Sequence, residues 1–198
     1  MNIGRTLHCV LGSSTIAEFT VIRLEHDSFK SPVGIVTIVS DGAAVRAVDF
    51  EGYESRMHRL LTHHCGAYQL KKVRDAGGFT KLLKAYFDGD VAALAEVPTA
   101  TNGTPFQKKV WAALRKIPCG TTTTYQTIAE RIGKPLACRA VGLANGANPI
   151  AVIIPCHRVI GANSRLTGYG GGLARKQWLL MHEGALNRDS VNDHKPNV

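Results

Sequence analysis

No stretch of this sequence reaches the roughly eighteen apolar residues of a membrane span, and its first thirty residues lack the basic start followed by an uninterrupted apolar run that a secretory signal needs. A cytoplasmic protein without a membrane partner is expected. Cysteine is sparse and scattered: Cys9, Cys65, Cys119, Cys138 and Cys156 are an odd number with no C-x-x-C pair, which argues against a disulfide framework and a zinc ribbon. His8, Cys9, His26, His63, His64 and Cys65 are the remaining metal candidates. They show no ligand spacing, so the expectation is surface histidines, small buried thiols and no metal. A Gly-rich phosphate loop, paired catalytic carboxylates and internal repeats are also missing.

Acidic residues are scarce in one segment only. Residues 1–100 carry 11 Lys and Arg against 11 Asp and Glu, residues 101–187 carry 11 against 2, and residues 188–198 carry 2 against 2. The whole excess of +9 therefore lies in 101–187. A neutral segment joined to a basic one fits a polyanionic partner, because Lys and Arg on a nucleic-acid backbone gain from counterion release. A basic surface kept for solubility is the bland alternative.

With 198 residues, 44% of them hydrophobic, the chain can bury one good core or two small ones. Phe19–His26, Val33–Val39 and Ala43–Phe50 are β-rich and separated by turns at Ser31-Pro32 and Asp41-Gly42, which predicts an antiparallel meander. Helices are expected near Glu54–Leu61 and Gly78–Phe87, giving a small α/β domain over residues 1–100. Glu96–Gly103 has no periodicity and coincides with the charge shift, so a second domain is expected over 104–187 and a disordered tail over 188–198. Thr104-Pro105 opens a helix with Phe106, Val110, Trp111 and Leu114 on one face.

Tyr125–Ile132 reads as a short amphipathic helix with Ile128, Ala129 and Ile132 inward. Gly133-Lys134-Pro135 breaks it, and a second helix is expected from about Leu136 to Asn145, with Ala140, Val141 and Ala144 inward. This pattern fits a DNA-binding helix-turn-helix, and equally any antiparallel helix pair. The small face Ala137, Cys138 and Gly142 suits close approach to a DNA backbone, with Arg139 as its one long cation. Ile150–Ile154 reads as a buried strand that delivers Cys156 to a turn, followed by His157 and Arg158. A cysteine beside an apolar strand is most often inert; an imidazole and a guanidinium close by would lower its pKa and supply thiolate.

Arg139-Ala-Val-Gly-Leu-Ala, Asn148-Pro149, Pro155-Cys156-His157-Arg158, Gly168-Tyr169, Gly171-Gly172, Lys176-Gln-Trp178 and His182-Glu183-Gly occur in order. Together they resemble the O6-alkylguanine-DNA alkyltransferases, the methylated-DNA–protein-cysteine methyltransferases, and most of all their bacterial Ogt type. The resemblance is strong over 104–185 and looser over the first half. It implies an RNase H-like first domain lending structural support, and a mainly α second domain with a helix-turn-helix in the minor groove. It further implies single-turnover DNA repair by a monomer without a cofactor, acting on double-stranded DNA that contains O6-alkylguanine; whether O4-alkylthymine is also accepted is left open by the sequence. Cys156 would take the alkyl group, with His157 relaying its proton through water and Glu183 orienting His157. Tyr125 would protonate the flipped guanine and crowd the backbone, Arg139 would fill the vacated stack, and Asn148 would tie the recognition helix to the active-site strand. Pro149, Val159, Tyr169, Gly170 and Gly171 would border the base pocket. Members of the family often carry Ser where Gly170 stands, so a backbone amide would replace that side-chain hydrogen bond.

Three rivals are weighed against this. A Cys-His hydrolase would turn over. A DNA-binding module without chemistry has no need of Cys156. A regulator with a four-cysteine zinc domain does not fit a first half holding only Cys9 and Cys65.

Overall fold

The computed structural model describes residues 21–162 and 165–187. His8, Cys9, Phe19 and the tail 188–198, for which expectations were given above, lie outside the described residues. The chain begins with β1 (Ile22–Ser31), β2 (Gly34–Ser40) and β3 (Val45–Phe50), joined at the two expected turns. Helix α1 (Glu54–Cys65) leads to β4 (Tyr68–Lys72), which the sequence pattern did not disclose. The sheet order is β3-β2-β1-β4, with β1–β2 and β2–β3 antiparallel and β4 parallel to β1. The sheet is thus mixed, not the antiparallel one expected. Tyr68–Lys72 was hard to see because it is a mostly exposed five-residue edge strand whose alternation is diluted by Gln69, Lys71 and Lys72.

Side chains alternate across β2 and β3 as the pleat requires. Val36, Ile38, Val48 and Phe50 face the main core, while Val39 and Ala47 meet Met57 and Leu61 of α1 and Leu24 of β1 on the other face. A 3-10 turn (Ala76–Gly78) precedes α2 (Thr80–Phe87), which puts Leu83, Tyr86 and Phe87 into the main core.

Thr104 caps α3 (Pro105–Arg115) with a complete capping box closed by Gln107, and Val110, Trp111 and Leu114 are buried as expected. The Trp111 indole N–H donates to the Ala144 carbonyl at 2.9 Å and so pins α3 to α5 (Cys138–Gly146). Between them come β5 (Thr123–Thr124) and α4 (Tyr125–Arg131), the latter capped by Thr124. Helix α5 starts at Cys138 rather than Leu136, and Ala140 is exposed rather than inward; Val141 and Ala144 carry the packing. A 3-10 turn (Cys156–Arg158), β6 (Val159–Ile160) parallel to β5, and α6 (Leu173–His182) complete the described chain.

Ile150–Ile154 is not a strand. Only Ile150 makes a bridge, to Val48 of β3, and the chain then turns tightly with Val152 at φ 68°. A β-branched residue in the left-handed region is strained and persists only where its surroundings over-determine it. Here the Asn148 side chain does so: its Oδ1 accepts from the Ile150 N–H at 3.0 Å and its Nδ2 donates to the Ile154 carbonyl at 2.9 Å. Beyond the contact with β3 an amide side chain takes the place of a partner strand, which the apolar run alone could not reveal.

One buried cluster includes Val36, Val48 and Phe50 from the first half and Trp111, Ile150 and Cys156 from the second. Thr99, within the expected boundary segment, bridges to Val45 of β3. Among the described residues no helix is long and apolar enough to cross a membrane, and no three His, Cys, Asp or Glu side chains group around a point where a metal could sit. His63 and His64 pack edge to face, and His64 lies against Trp111.

Candidate active site

The tight turn after Ile150 sets Cys156 at the start of a 3-10 turn, 5% exposed. Asn148 Nδ2, the same group that pins the turn, donates to Cys156 Sγ at 3.0 Å. Burial pushes the Cys156 thiol up, against the Asn148 hydrogen bond and the charges of Arg56 and Lys176. The expectation of a lowered thiol pKa is therefore overturned, because desolvation outweighs the nearby cations. Arg158 is not among those cations. It turns away to Glu183, with Nε on Oε2 at 2.7 Å and Nη2 on Oε1 at 2.9 Å, while Nη1 donates to the Ile117 carbonyl at 2.6 Å.

His157 is fully buried, and its Nε2 lies 2.9 Å from Glu183 Oε1. Burial would raise the Glu183 carboxyl, but hydrogen bonds from His157 and Arg158 and their charges hold it well below the usual carboxylate range. A carboxylate only accepts, so His157 carries its proton on Nε2 and leaves Nδ1 as an acceptor. Nδ1 is buried with no partner among the described residues. Burial also pushes the imidazole below its ordinary value, so it rests neutral. Glu183 is the C-cap of α6, where the helix dipole disfavours an anion. Its donors offset that cost.

Three further groups were given no role from the sequence. Tyr86 Oη donates to Glu183 Oε1 at 2.7 Å. Lys176 is fully buried, its Nζ bonded to the Val159 and Thr167 carbonyls at 2.6 Å each, and burial brings its pKa down to about 8. Arg56 of α1 pairs with Asp49 at 2.6 Å and donates to the carbonyls of Gly146 and Asn148 at 3.1 and 2.9 Å, satisfying the C-terminal end of α5. Sequence offered one signal for each: a cation or a hydroxyl inside an apolar periodic face. The partners are far away along the chain.

Of the residues expected around the base, Tyr125 and Tyr169 are half-buried and Pro149 and Val159 are buried. The Tyr169 hydroxyl is buried without a partner among the described residues, and its ring meets that of His157 edge to face at 6.4 Å. Burial pushes the Tyr125 phenol up, so it stays protonated. On α5 Arg139 is exposed, and Ala137, Cys138 and Gly142 are half-buried. A Cβ on Gly170 would lie 2.8 Å from Arg56 Nη2, and a Cβ on Gly171 would lie 2.7 Å from the Phe50 ring. With Arg56 tied at three points, Gly170→Ser is expected to lower stability by about 1–3 kcal/mol, seen as a lower urea midpoint at unchanged slope. Arg56→Ala is expected to abolish that added cost, a coupling that a double-mutant cycle measures.

Residues 105–185 match the family described as the 6-O-methylguanine DNA methyltransferase DNA-binding domain. The methylated-DNA–protein-cysteine methyltransferase of Salmonella typhimurium is 47% identical over 169 residues, which is 84% of this chain and 99% of the relative. This chain belongs to the methylated-DNA–protein-cysteine methyltransferase family. As a member of it, the chain is a DNA-binding repair enzyme that moves a methyl group from methylated DNA to a protein cysteine. Among solved structures, the Mycobacterium tuberculosis O6-methylguanine methyltransferase matches with a TM-score of 0.67 at 39% identity, covering 86% of this methyltransferase and 99% of that chain. M. tuberculosis OGT in complex with DNA matches with a TM-score of 0.66 at 38% identity, covering 83% and 94%.

Proposed function

We propose that this protein removes the alkyl group from O6-alkylguanine in double-stranded DNA and keeps it irreversibly on Cys156. The observation that carries the reading is the buried cysteine held by Asn148 beside a buried His157–Glu183 pair. Because burial keeps the thiol protonated at rest, the nucleophile is made only when its proton leaves. His157 Nδ1 is the open acceptor, and no hydrogen bond joins it directly to the thiol, so one bridging water relays the proton. Glu183 then stabilises the imidazolium. The sulfur attacks the alkyl carbon in line, the carbon–oxygen bond breaks, and Tyr125 protonates the departing guanine. The product is a thioether, which nothing at the site can hydrolyse, so each molecule acts once and needs no cofactor.

Guanine O6 lies inside the base stack, so the nucleotide is flipped out at a cost of a few kcal/mol. We place α4 and α5 as a helix-turn-helix in the minor groove, with Ala137, Cys138 and Gly142 against the backbone and exposed Arg139 filling the vacated stack. Pro149, Val159, Tyr169, Gly170 and Gly171 border the base pocket. Residues 1–100 form the supporting domain; β4 parallel to β1 at the edge of a 3-2-1-4 sheet supports its RNase H-like reading. The protein works as a cytoplasmic monomer. Duplex DNA carrying a radiolabelled methyl at guanine O6 tests the proposal: one label per molecule is expected, all of it on Cys156. Free methyl product in excess over protein would overturn it.

Arg139 has its own test. Arg139→Ala is expected to slow repair of saturating duplex by roughly 10-fold or more, while reaction with free O6-benzylguanine, which needs no flipping, stays unchanged. Were the side chain only a phosphate contact, the saturated rate would be normal and the salt slope of binding would fall by about one unit.

A further inference from the structure

We propose that Tyr86 is a positioning residue of the transfer reaction, its hydroxyl acting through Glu183 to set the proton affinity of His157. The inference rests on the reading of His157 as the base. Tyr86 comes from α2, 97 residues before Glu183 in a segment whose sequence shows no chemistry of its own, yet its Oη is 2.7 Å from Glu183 Oε1. That oxygen is also the one bonded by His157 Nε2 at 2.9 Å and by Arg158 Nη2 at 2.9 Å, whereas Oε2 takes only Arg158 Nε.

The phenol has little freedom to move. Tyr86 is 1% exposed, its ring stands edge to face with Phe87 and His182, and its own carbonyl lies 2.6 Å from His182 Nε2. Burial and the Glu183 charge keep the phenol protonated, so it can only donate to the carboxylate. Charge balance does not require this bond, because Arg158 already neutralises Glu183. A further donor on Oε1 instead competes with the His157 N–H for the same lone pairs and weakens the hold of the carboxylate on an imidazolium. Tyr86 thus keeps Glu183 in place for His157 and at the same time prevents His157 from retaining the proton it accepts.

The other groups facing this pair are accounted for. Arg158 and Lys176 act on His157 and lower its proton affinity, and the Tyr169 ring lies edge-on to it. The Cys119 thiol also faces Glu183. Among the described residues with hydrogen bonds to Glu183, Tyr86 is the one contributed by the first hundred residues.

Removing the hydroxyl should strengthen the His157–Glu183 bond. In Tyr86→Phe the acid limb of the rate profile with free O6-benzylguanine is expected to move to higher pH by about half to one unit, because His157 must be neutral to accept the thiol proton. The Nε2 resonance of ¹⁵N-labelled His157, measured on the free protein, should move with it. A fluorinated tyrosine placed at position 86 keeps the packing and donates more strongly, so both readouts should shift the opposite way. A purely packing role predicts a lower Tm for Tyr86→Phe with the Nε2 resonance and acid limb unmoved, and an unmoved resonance in both variants overturns the proposal. If the resonance moves and the rate profile does not, the coupling stands and the base role of His157 falls.

Discussion

Cys156→Ser is expected to abolish alkyl transfer to the protein altogether while leaving duplex affinity intact. The substitution is nearly isosteric, and a serine hydroxyl can still accept the Asn148 Nδ2 hydrogen bond that the thiol accepts at 3.0 Å. What is lost is the nucleophile. A buried hydroxyl is a far weaker acid than a thiol, and a neutral imidazole cannot ionise it enough to displace an alkyl group from carbon. Incubation with radiolabelled duplex, followed by gel separation of protein, should show no label on the variant. Gel-shift titration should show the same affinity as the parent. Residual labelling at any other cysteine would remove Cys156 from its central place.

Glu183→Gln should have the next largest effect, and on two properties at once. Neutralising the carboxylate leaves Arg158, 12% exposed, and any imidazolium at His157 without their counterion. Breaking a buried pair from one side costs about 3–5 kcal/mol, and loss of the oriented base should slow transfer by roughly 10²–10³-fold. The pH dependence has a definite sign. Glu183 has a folded-state pKa below its unfolded value of about 4.3, so its stabilisation is fully present above that value and is lost as pH falls towards the folded pKa. Urea midpoints measured from pH 7 down to pH 3 should therefore fall more steeply for the parent than for Glu183→Gln. Parallel curves would mean that the carboxylate is not held as the hydrogen bonds indicate.

What could be seen in the sequence follows a physical division. Thr104-Pro105 with Phe106, Val110, Trp111 and Leu114 carries its own cap and its own period, so α3 could be recognised from local signals alone. Tyr125–Ile132 behaved in the same way, and Cys156, His157 and Glu183 were legible because they belong to a distinctive ordered set of motifs. Ile150–Ile154 went wrong because only its first two residues meet β3, and the turn that follows is held by the Asn148 side chain rather than by a strand. The direction of the thiol shift went wrong because adjacency in sequence puts Arg158 next to Cys156, whereas the fold sends its guanidinium to Glu183 and leaves the thiol dry. Nothing local gave Tyr86 or Arg56 a role; only tertiary packing brings them to Glu183 and Asn148.

The outer edge of β3 is taken up by segments from much later in the chain. The Val45 N–H donates to the Pro98 carbonyl and its own carbonyl accepts from Ala100, while the Val48 N–H donates to Pro149 and its carbonyl accepts from Ala151. Until Pro149 to Ala151 have been synthesised, the nascent chain presents an apolar strand with open hydrogen-bonding groups, a template for pairing with other copies. The same contacts give the fold a high share of long-range pairings, which slows its formation relative to a helical bundle of equal length. That edge is closed only when the segment leading into the cysteine-bearing turn docks on the sheet.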